Sequence, residues 1–135
     1  MAETSSGARP RPLSPHVLAW RWHLTMAASI ATRVSGVAAF VGMFVLMGWA
    51  VALASGQEAY ESYMALLGSI PGKIVLFGVT VAVLYHLAAG LRHLFWDLGK
   101  GYRKEIATLT GLASFAFAIV GAIALWAVAG LIGAL

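Results

Sequence analysis

Two histidines near the end of a long apolar run are the side chains of this sequence best suited to chemistry. They are His86 and His93, in the stretch YHLAAGLRHLFWDLG at residues 85–99. On a helix, seven residues return to nearly the same face and advance ~10 Å along the axis. Ionisable side chains at the depth of the hydrocarbon are costly and usually have a function. A pair of them on one helix face therefore predicts a site.

Small residues occupy the helical turns around the first of these histidines: Ala82, Ala89 and Gly90. Such surroundings leave room for a flat macrocycle against the helix, and neutral imidazole is a usual axial ligand of haem iron. The same pattern also fits a histidine that is hydrogen-bonded inside a helix bundle. His86 and His93 cannot both bind one iron, because ~10 Å along a helix is far longer than a metal–nitrogen bond of ~2 Å.

A different role is therefore expected for His93. Beside Arg92, it could bind a haem propionate carboxylate; alternatively, it pairs with Asp97 one turn further on. If His86 is an axial ligand, the sixth ligand of the iron must come from another chain, because no third histidine lies inside an apolar run.

A second polar group lies in the first apolar run, in the stretch AASIATRVSG. Ser29, Thr32, Arg33 and Gly36 follow i, i+3, i+4, i+7 spacing and share one helix face. Arg33 lies ~13 Å beyond Leu24, so it needs a polar partner or must extend to the membrane surface. The functional interpretation is that Ser29 and Arg33 donate hydrogen bonds to a carbonyl or carboxylate, such as a ubiquinone head group or a haem propionate.

The composition identifies the medium in which these residues act. Of the 135 residues, 61% are hydrophobic and only 10% are charged, whereas a soluble domain carries about a quarter charged residues. Three apolar runs, at about 24–54, 74–98 and 106–135, each exceed the ~20 residues that cross a bilayer as a helix. The sequence therefore predicts an all-α integral membrane bundle of three transmembrane helices. The lack of cysteine excludes disulfides and iron–sulfur ligation by this chain.

The first residues are expected to lie outside the bilayer. Residues 1–12 are polar and are expected to be mobile, while residues 13–135 are expected to form a single membrane domain. In RPLSPHVLAWRWH, Ser14 and Pro15 are typical of a helix N-cap and first turn. The two tryptophans of this stretch are typical of the aromatic belt at a membrane surface. We therefore predict a short interfacial helix before the first span.

The distribution of charge predicts the orientation of the spans. Basic side chains gather before the first span and around the turn between the second and third: Arg9, Arg11, Arg21, Arg92, Lys100, Arg103 and Lys104. The loop between the first two spans instead contains Glu58, Glu61 and a single Lys73. The positive-inside rule therefore places the N-terminus on the cytoplasmic side. The net charge of +4 follows this topology, so nucleic acid is not an expected partner.

Two blocks of the sequence resemble the cytochrome b-type membrane anchors of succinate dehydrogenase, the succinate:quinone oxidoreductase of respiratory complex II. The first block is RPLSPH followed by SIATRVSG, within residues 11–36. The second is HLAAGLRHLFWDLG, residues 86–99, which matches the family pattern H-xxx-G-x-R-H-x-x-x-D-x-G throughout. With the length, the three spans and the orientation, the resemblance covers nearly the whole chain.

The resemblance implies roles for four residues. His86 matches the family's axial ligand of haem b, and His93 matches the histidine beside the haem propionates. Ser29 and Arg33 match the pair that lines the ubiquinone site, with the arginine also near the haem edge. The family usually has histidine just before that arginine. This chain has Thr32 instead, which cannot carry a positive charge to a propionate.

By this resemblance, the chain contributes binding sites to a complex and has no catalytic residue of its own. A flavoprotein subunit would oxidise succinate, an iron–sulfur subunit would pass the electrons on, and a second small anchor subunit would share the haem. The complex would lie in a bacterial or mitochondrial inner membrane. Two alternatives remain. One is a fumarate reductase anchor; the other is a haem-free helical anchor or proton-relay protein, in which His86 and His93 relay protons or pack between helices.

Overall fold

Four helices make up the computed structural model, which describes residues 21–133. They are α1 (Leu24–Ser55), α2 (Gln57–Gly68), α3 (Ile70–Asp97) and α4 (Lys104–Leu131). No strand occurs within this range, so the prediction of an all-α fold is confirmed. α1, α3 and α4 are each long and apolar enough to cross a membrane. The predicted interfacial helix and the polar segment 1–12 precede the described residues.

Small side chains fill the contacts between the three long helices. The buried residues are Ala28, Ser35 and Ala52 in α1, Tyr85, Ala89 and Arg92 in α3, and Gly111, Ser114, Ala118 and Ala122 in α4. Helices in lipid associate by close backbone packing, which small residues permit. Large apolar side chains face outward instead, as in Phe40, Met43 and Leu46, which are 60%, 67% and 65% exposed. The bundle is therefore built to expose its apolar surface to lipid.

Tyr85 joins the three long helices at their centre. Its hydroxyl donates to the carbonyl oxygen of Ala28 in α1 at 3.0 Å, and its ring lies 4.7 Å from that of Phe115 in α4, centroid to centroid. With Ala89 and Ala118 it forms the buried core. Tyr85 thereby sets the distance between α1 and α3, the two helices that carry the predicted site residues.

The segment between the first two spans is helical over most of its length, although the sequence suggests only a loop. Helix-forming residues dominate α2, and the Gln57 amide donates to the Glu61 carboxylate one turn on at 2.8 Å. Tyr63 then anchors α2 to α1, because its hydroxyl donates to the Val45 carbonyl at 2.7 Å. Gly48 permits this approach, since a Cβ there would lie 2.7 Å from the same hydroxyl oxygen.

A tight turn joins α3 to α4 at the end where α1 begins. Gly99 and Gly101 have φ of 72° and 84°, a left-handed conformation that glycine adopts without steric cost. The turn orients Trp96, whose indole N–H donates to the Gly101 carbonyl at 3.3 Å. Tyr102 stacks on the indole at 5.7 Å and donates its hydroxyl hydrogen to the Trp96 carbonyl at 2.8 Å. One wall of the candidate site is fixed in this way.

Candidate functional site

His86 lies on α3 eleven residues before the helix ends at Asp97, about 17 Å into the span. The side chain is exposed on the surface of the bundle. Its Nδ1 is 3.2 Å from the hydroxyl oxygen of Ser35 on α1. Ser35 in turn donates its single hydroxyl hydrogen to the Thr32 carbonyl at 3.0 Å. The serine oxygen therefore accepts from Nδ1–H, which leaves the lone pair of the imidazole on Nε2.

The space around His86 differs from the sequence-based expectation. A Cβ built on Gly36 would lie 3.1 Å from the imidazole Cε1, so α1 packs directly against the ring. A Cβ built on Gly90 would meet nothing within 4 Å, so open space lies beside that glycine. Ala89, however, is 0% exposed in the core, and Ala82 lines a different cavity with Tyr85. Ala89 therefore leaves no room beside His86, whereas open space lies beside Gly90, and Ala82 borders a cavity that is also lined by Ser35, the residue in contact with His86.

A polar pocket of about 160 Å³ lies between the start of α1 and the end of α3. It is lined by Thr25, Ser29, Thr32, Arg33, Arg92, His93 and Trp96. The structure thus brings together Ser29 and Arg33 from α1 and His93 from α3. His86 lies deeper along the same pair of helices and does not line the pocket. The lining contains no carboxylate, so its charge is positive.

Within the pocket, His93 is oriented by its own helix. Its Nδ1–H donates to the Ala89 carbonyl at 2.7 Å, because a carbonyl oxygen can only accept. The alternative pairing with Asp97 is not present. The indole of Trp96 packs edge-on at 5.1 Å from the imidazole centroid. The second ring nitrogen, Nε2, remains available to a group in the pocket.

Arg92 is the buried cation of this pocket, and only 7% of it is exposed. Its Nε–H donates to Thr110 Oγ1 and one Nη2–H to the Ala107 carbonyl, both at 3.2 Å. Its guanidinium carbon lies 4.0 Å from the centroid of the Trp96 ring, a cation–π contact. No ion pair of Arg92 occurs within residues 21–133. A rigid positive charge therefore borders the pocket and links α3 to α4.

Thr32 contributes no free donor to the pocket, because its hydroxyl donates to the Ala28 carbonyl at 2.8 Å. Three contributing residues were missed from the sequence: Ser35, Trp96 and Thr25. A signal for Ser35 exists, since Ala28, Ser35 and Gly42 are small residues at a seven-residue interval, which is typical of a helix interface. Local signals existed for the other two as well, because Thr25 lies four residues before Ser29 and Trp96 lies three residues after His93, each on the same helix face.

The fold and the site define a multi-pass helical membrane protein with an exposed histidine within a span and a basic pocket at one end of the same helix pair. The family model for succinate dehydrogenase/fumarate reductase transmembrane subunits matches residues 7–125. The chain belongs to this family, as a cytochrome b-type membrane anchor of succinate dehydrogenase.

Similar proteins occur in bacteria and in mitochondria. The chain is 38% identical over 123 residues to a succinate dehydrogenase cytochrome b556 subunit of Paracoccus denitrificans, covering 91% of this chain and 93% of the relative. It is 32% identical over 116 residues to a cytochrome b556 subunit of Rickettsia conorii, covering 86% and 90%. It is 37% identical over 120 residues to the mitochondrial cytochrome b560 subunit of Sus scrofa, covering 85% and 69%. Each of these names specifies succinate dehydrogenase. The comparisons therefore do not favour the alternatives of a fumarate reductase anchor or a haem-free protein.

Proposed function

We propose that this chain binds haem b through His86 and forms part of a ubiquinone-reduction site through Ser29 and Arg33, within a succinate:quinone oxidoreductase. The observation that carries the proposal is the hydrogen bond between Ser35 and His86, at 3.2 Å. It orients an imidazole within the span and leaves the ring lone pair on Nε2. A metal-bound histidine usually has this arrangement, with its other N–H given to an oxygen acceptor.

The residues present fit a haem better than a metal ion held by protein ligands alone. Within residues 21–133 there is no cluster of three or more His, Cys, Asp or Glu side chains that could hold an ion. A haem would need only one imidazole from this chain, because the macrocycle brings nitrogen ligands of its own. When bound, it supplies a one-electron redox centre. His86 would be the axial ligand, and the open space at Gly90 is available to the macrocycle.

Charge and hydrogen bonding support a carboxylate or quinone oxygen in the polar pocket. Two guanidinium groups, those of Arg33 and Arg92, border a space without an acidic side chain. His93 presents Nε2 to the same space and would meet a haem propionate. A serine hydroxyl at Ser29 can donate to a quinone carbonyl. A fixed positive charge stabilises the reduced, more negative quinone more than the neutral one, and this difference favours reduction.

The arrangement implies partner subunits. His86 is exposed at a depth where a polar side chain is costly, so a second small anchor subunit would cover it and provide the sixth ligand. An iron–sulfur subunit would deliver electrons at the end that carries the pocket, after a flavoprotein subunit has oxidised succinate. The N-terminus would face the cytoplasm of a bacterium or the matrix of a mitochondrion, because the basic residues gather at that end.

Two variants of the assembled complex test the two sites separately. His86→Ala should abolish or shift the reduced-minus-oxidised b-type spectrum, and an unchanged spectrum would contradict the haem assignment. Arg33→Leu should reduce succinate–ubiquinone activity by roughly ten- to a hundredfold, since a hydrogen bond from a charged donor contributes ~1.5–3 kcal/mol. Succinate oxidation by an artificial acceptor that takes electrons upstream should survive.

A matched control for Arg33 is Arg103, an exposed arginine at the same end whose Nε lies 3.9 Å from the Glu105 carboxylate. Arg103→Leu should leave the ubiquinone activity near the wild-type value. Equal ubiquinone rates and apparent affinities in Arg33→Leu and wild type would contradict the quinone assignment, and Arg33 would then be a residue that only extends to the membrane surface.

A further inference from the structure

His23 lies immediately before α1, and its imidazole contacts the polar pocket through a neighbouring hydroxyl. Its Nδ1 is 2.7 Å from Thr25 Oγ1. The backbone of His23 is held by the first turn of the helix, because its carbonyl accepts from the N–H groups of Met26 and Ala27 at 3.1 and 3.2 Å. The side chain is exposed. An exposed imidazole is thus fixed at the entrance to the first span.

Thr25 connects this imidazole to the pocket, since Thr25 itself belongs to the pocket lining with Ser29 one turn further on. The other polar groups of the lining are suited to binding and not to supplying protons. Arginine does not give up its proton in proteins, and the hydroxyl of Thr32 donates to the Ala28 carbonyl. His93 gives its Nδ1–H to Ala89, and the proposed function assigns its other nitrogen, Nε2, to a haem propionate. Within residues 21–133, Thr25 is the residue of the pocket lining whose hydroxyl is hydrogen-bonded to an imidazole outside the spans, that of His23.

We propose that His23 and Thr25 form a proton relay from the membrane surface into the polar pocket. The inference rests on the proposed function, in which a quinone in the pocket is reduced. The quinone takes up two electrons, delivered by the iron–sulfur subunit, and two protons, and forms two O–H bonds. Imidazole is the side chain that most readily exchanges protons with neutral water, so His23 is the group of the pair that can collect them.

Each transfer through the relay balances as one proton moved from water to a quinone oxygen. The hydroxyl of Thr25 gives its proton to a quinone oxygen that carries the negative charge of reduction. The oxygen of Thr25 takes a proton from Nδ1 of His23, whose ring is protonated on both nitrogens before the step and is a neutral imidazole after it. The imidazole then regains a proton from water, and the hydroxyl and the ring return to their starting orientation. No atom of His23 or Thr25 is consumed. Both residues precede Ser29 and Arg33 on the same helix, so binding and proton supply are separate functions of α1.

The identity of residue 32 gives the relay a further rationale. Residue 32 lies in the pocket lining and is a threonine whose hydroxyl is bound to the backbone of its own helix. Thr32 can neither hold nor pass on a proton in that state. An imidazole at His23, linked by a hydroxyl to the same pocket, supplies a protonatable group that position 32 lacks.

The test uses the whole complex with His23→Ala and Thr25→Val, measuring succinate–ubiquinone activity beside activity with an upstream artificial acceptor. General acid catalysis raises the reaction rate by at least ~100-fold in many enzymes. Because water also reaches an exposed site, we expect a smaller effect here: kcat of both variants should fall roughly tenfold, with little change in the KM for quinone. Added imidazole should restore much of the rate of His23→Ala and none of that of Thr25→Val. Thr25→Ser, which keeps the hydroxyl, should stay near wild type.

Thr108→Val is the matched control, because Thr108 lies near the same end, donates to the Lys104 carbonyl at 2.8 Å and is outside the pocket lining. Its activity should equal wild type. An unchanged kcat in His23→Ala, or a loss that imidazole does not relieve, would overturn the relay. Failure of the proposed function looks different: Arg33→Leu would then retain full ubiquinone activity. If Arg33→Leu strongly lowers the ubiquinone activity and His23→Ala does not, the relay is contradicted and the proposed quinone site is not.

Discussion

Ser35 on α1 and His86 on α3 meet across the helix interface with 3.2 Å between Oγ and Nδ1. Because the serine gives its own hydrogen to Thr32, it can only accept from the imidazole. Ser35 is 6% exposed, so water cannot readily replace it as the acceptor. A buried serine thus determines which nitrogen of an exposed histidine is free to bind a ligand.

The first prediction is that Ser35→Ala weakens haem binding without removing the axial ligand. Loss of an acceptor behind a metal-bound histidine typically lowers metal affinity by roughly 10–100-fold. The haem content of the purified complex should fall and its b-type spectrum should shift. Ser114→Ala is the control, because Ser114 is equally buried but donates only to the Thr110 carbonyl of its own helix, at 2.9 Å. If both variants hold haem equally well, Ser35 has no role in ligation.

The second prediction concerns the contact between Gly36 and His86. A Cβ at position 36 would lie 3.1 Å from Cε1 of the ring, which forces the imidazole away by a few tenths of an ångström. Gly36→Ala should therefore reduce haem occupancy. A Cβ on Gly130 would meet nothing within 4 Å, so Gly130→Ala should be neutral or stabilise its helix by up to ~1 kcal/mol. Normal occupancy in Gly36→Ala would show that the ring tolerates displacement.

Helix faces were predictable from the sequence where the spacing alone decides them. Ser29 and Arg33 share one face of α1, as their spacing indicates, and both line the pocket. The space around His86 could not be predicted in this way, because it depends on the side of the helix to which each small residue points as well as on the size of that residue. Ala82 and Ala89 lie about 40° and 60° from His86 on the side that faces the bundle, whereas Gly90 lies about 40° to the other side. Only the packing of α4 shows which side is filled.

Contacts between helices required the structure itself. Ser35 and His86 are 51 positions apart, and no local spacing reveals the register that brings them together. Within α3, the sequence allowed His93 to pair with Asp97, but the carbonyl of Ala89 one turn earlier accepts its N–H instead. The charge of Arg92 was evident, yet its burial depends on Thr110, which lies on the next helix.

The third prediction is that His93→Ala retains the haem but changes its midpoint potential or the pH dependence of that potential. Nε2 of His93 faces a pocket that also contains Arg33 and Arg92, where it would contact a propionate. A redox titration of the complex at several pH values measures the effect. Asp97→Asn should leave the potential near wild type, because Asp97 is not the partner of His93. Normal potential, pH dependence and haem content in His93→Ala would contradict the propionate role.

The last prediction is that Arg92 holds the pocket together through α4. Arg92→Leu removes two hydrogen bonds from a charged donor, each contributing ~1.5–3 kcal/mol, together with the cation that lies over Trp96. The purified complex should lose haem absorbance at a lower temperature, and the KM for quinone should rise because Trp96 loses its support.

Arg92→Lys keeps the charge but not the planar fork that reaches both Thr110 and the Ala107 carbonyl, so it should restore little. Thr110→Val leaves the arginine in place and removes the acceptor of Nε–H, together with the bond from the Thr110 hydroxyl to the Ile106 carbonyl of its own helix; the loss of the acceptor should cost about 1 kcal/mol. It should lower the stability less than Arg92→Leu does, and Thr108→Val should not lower it at all. A complex in which Arg92→Leu melts as wild type and binds quinone with wild-type affinity would show that the link between α3 and α4 does not support the pocket.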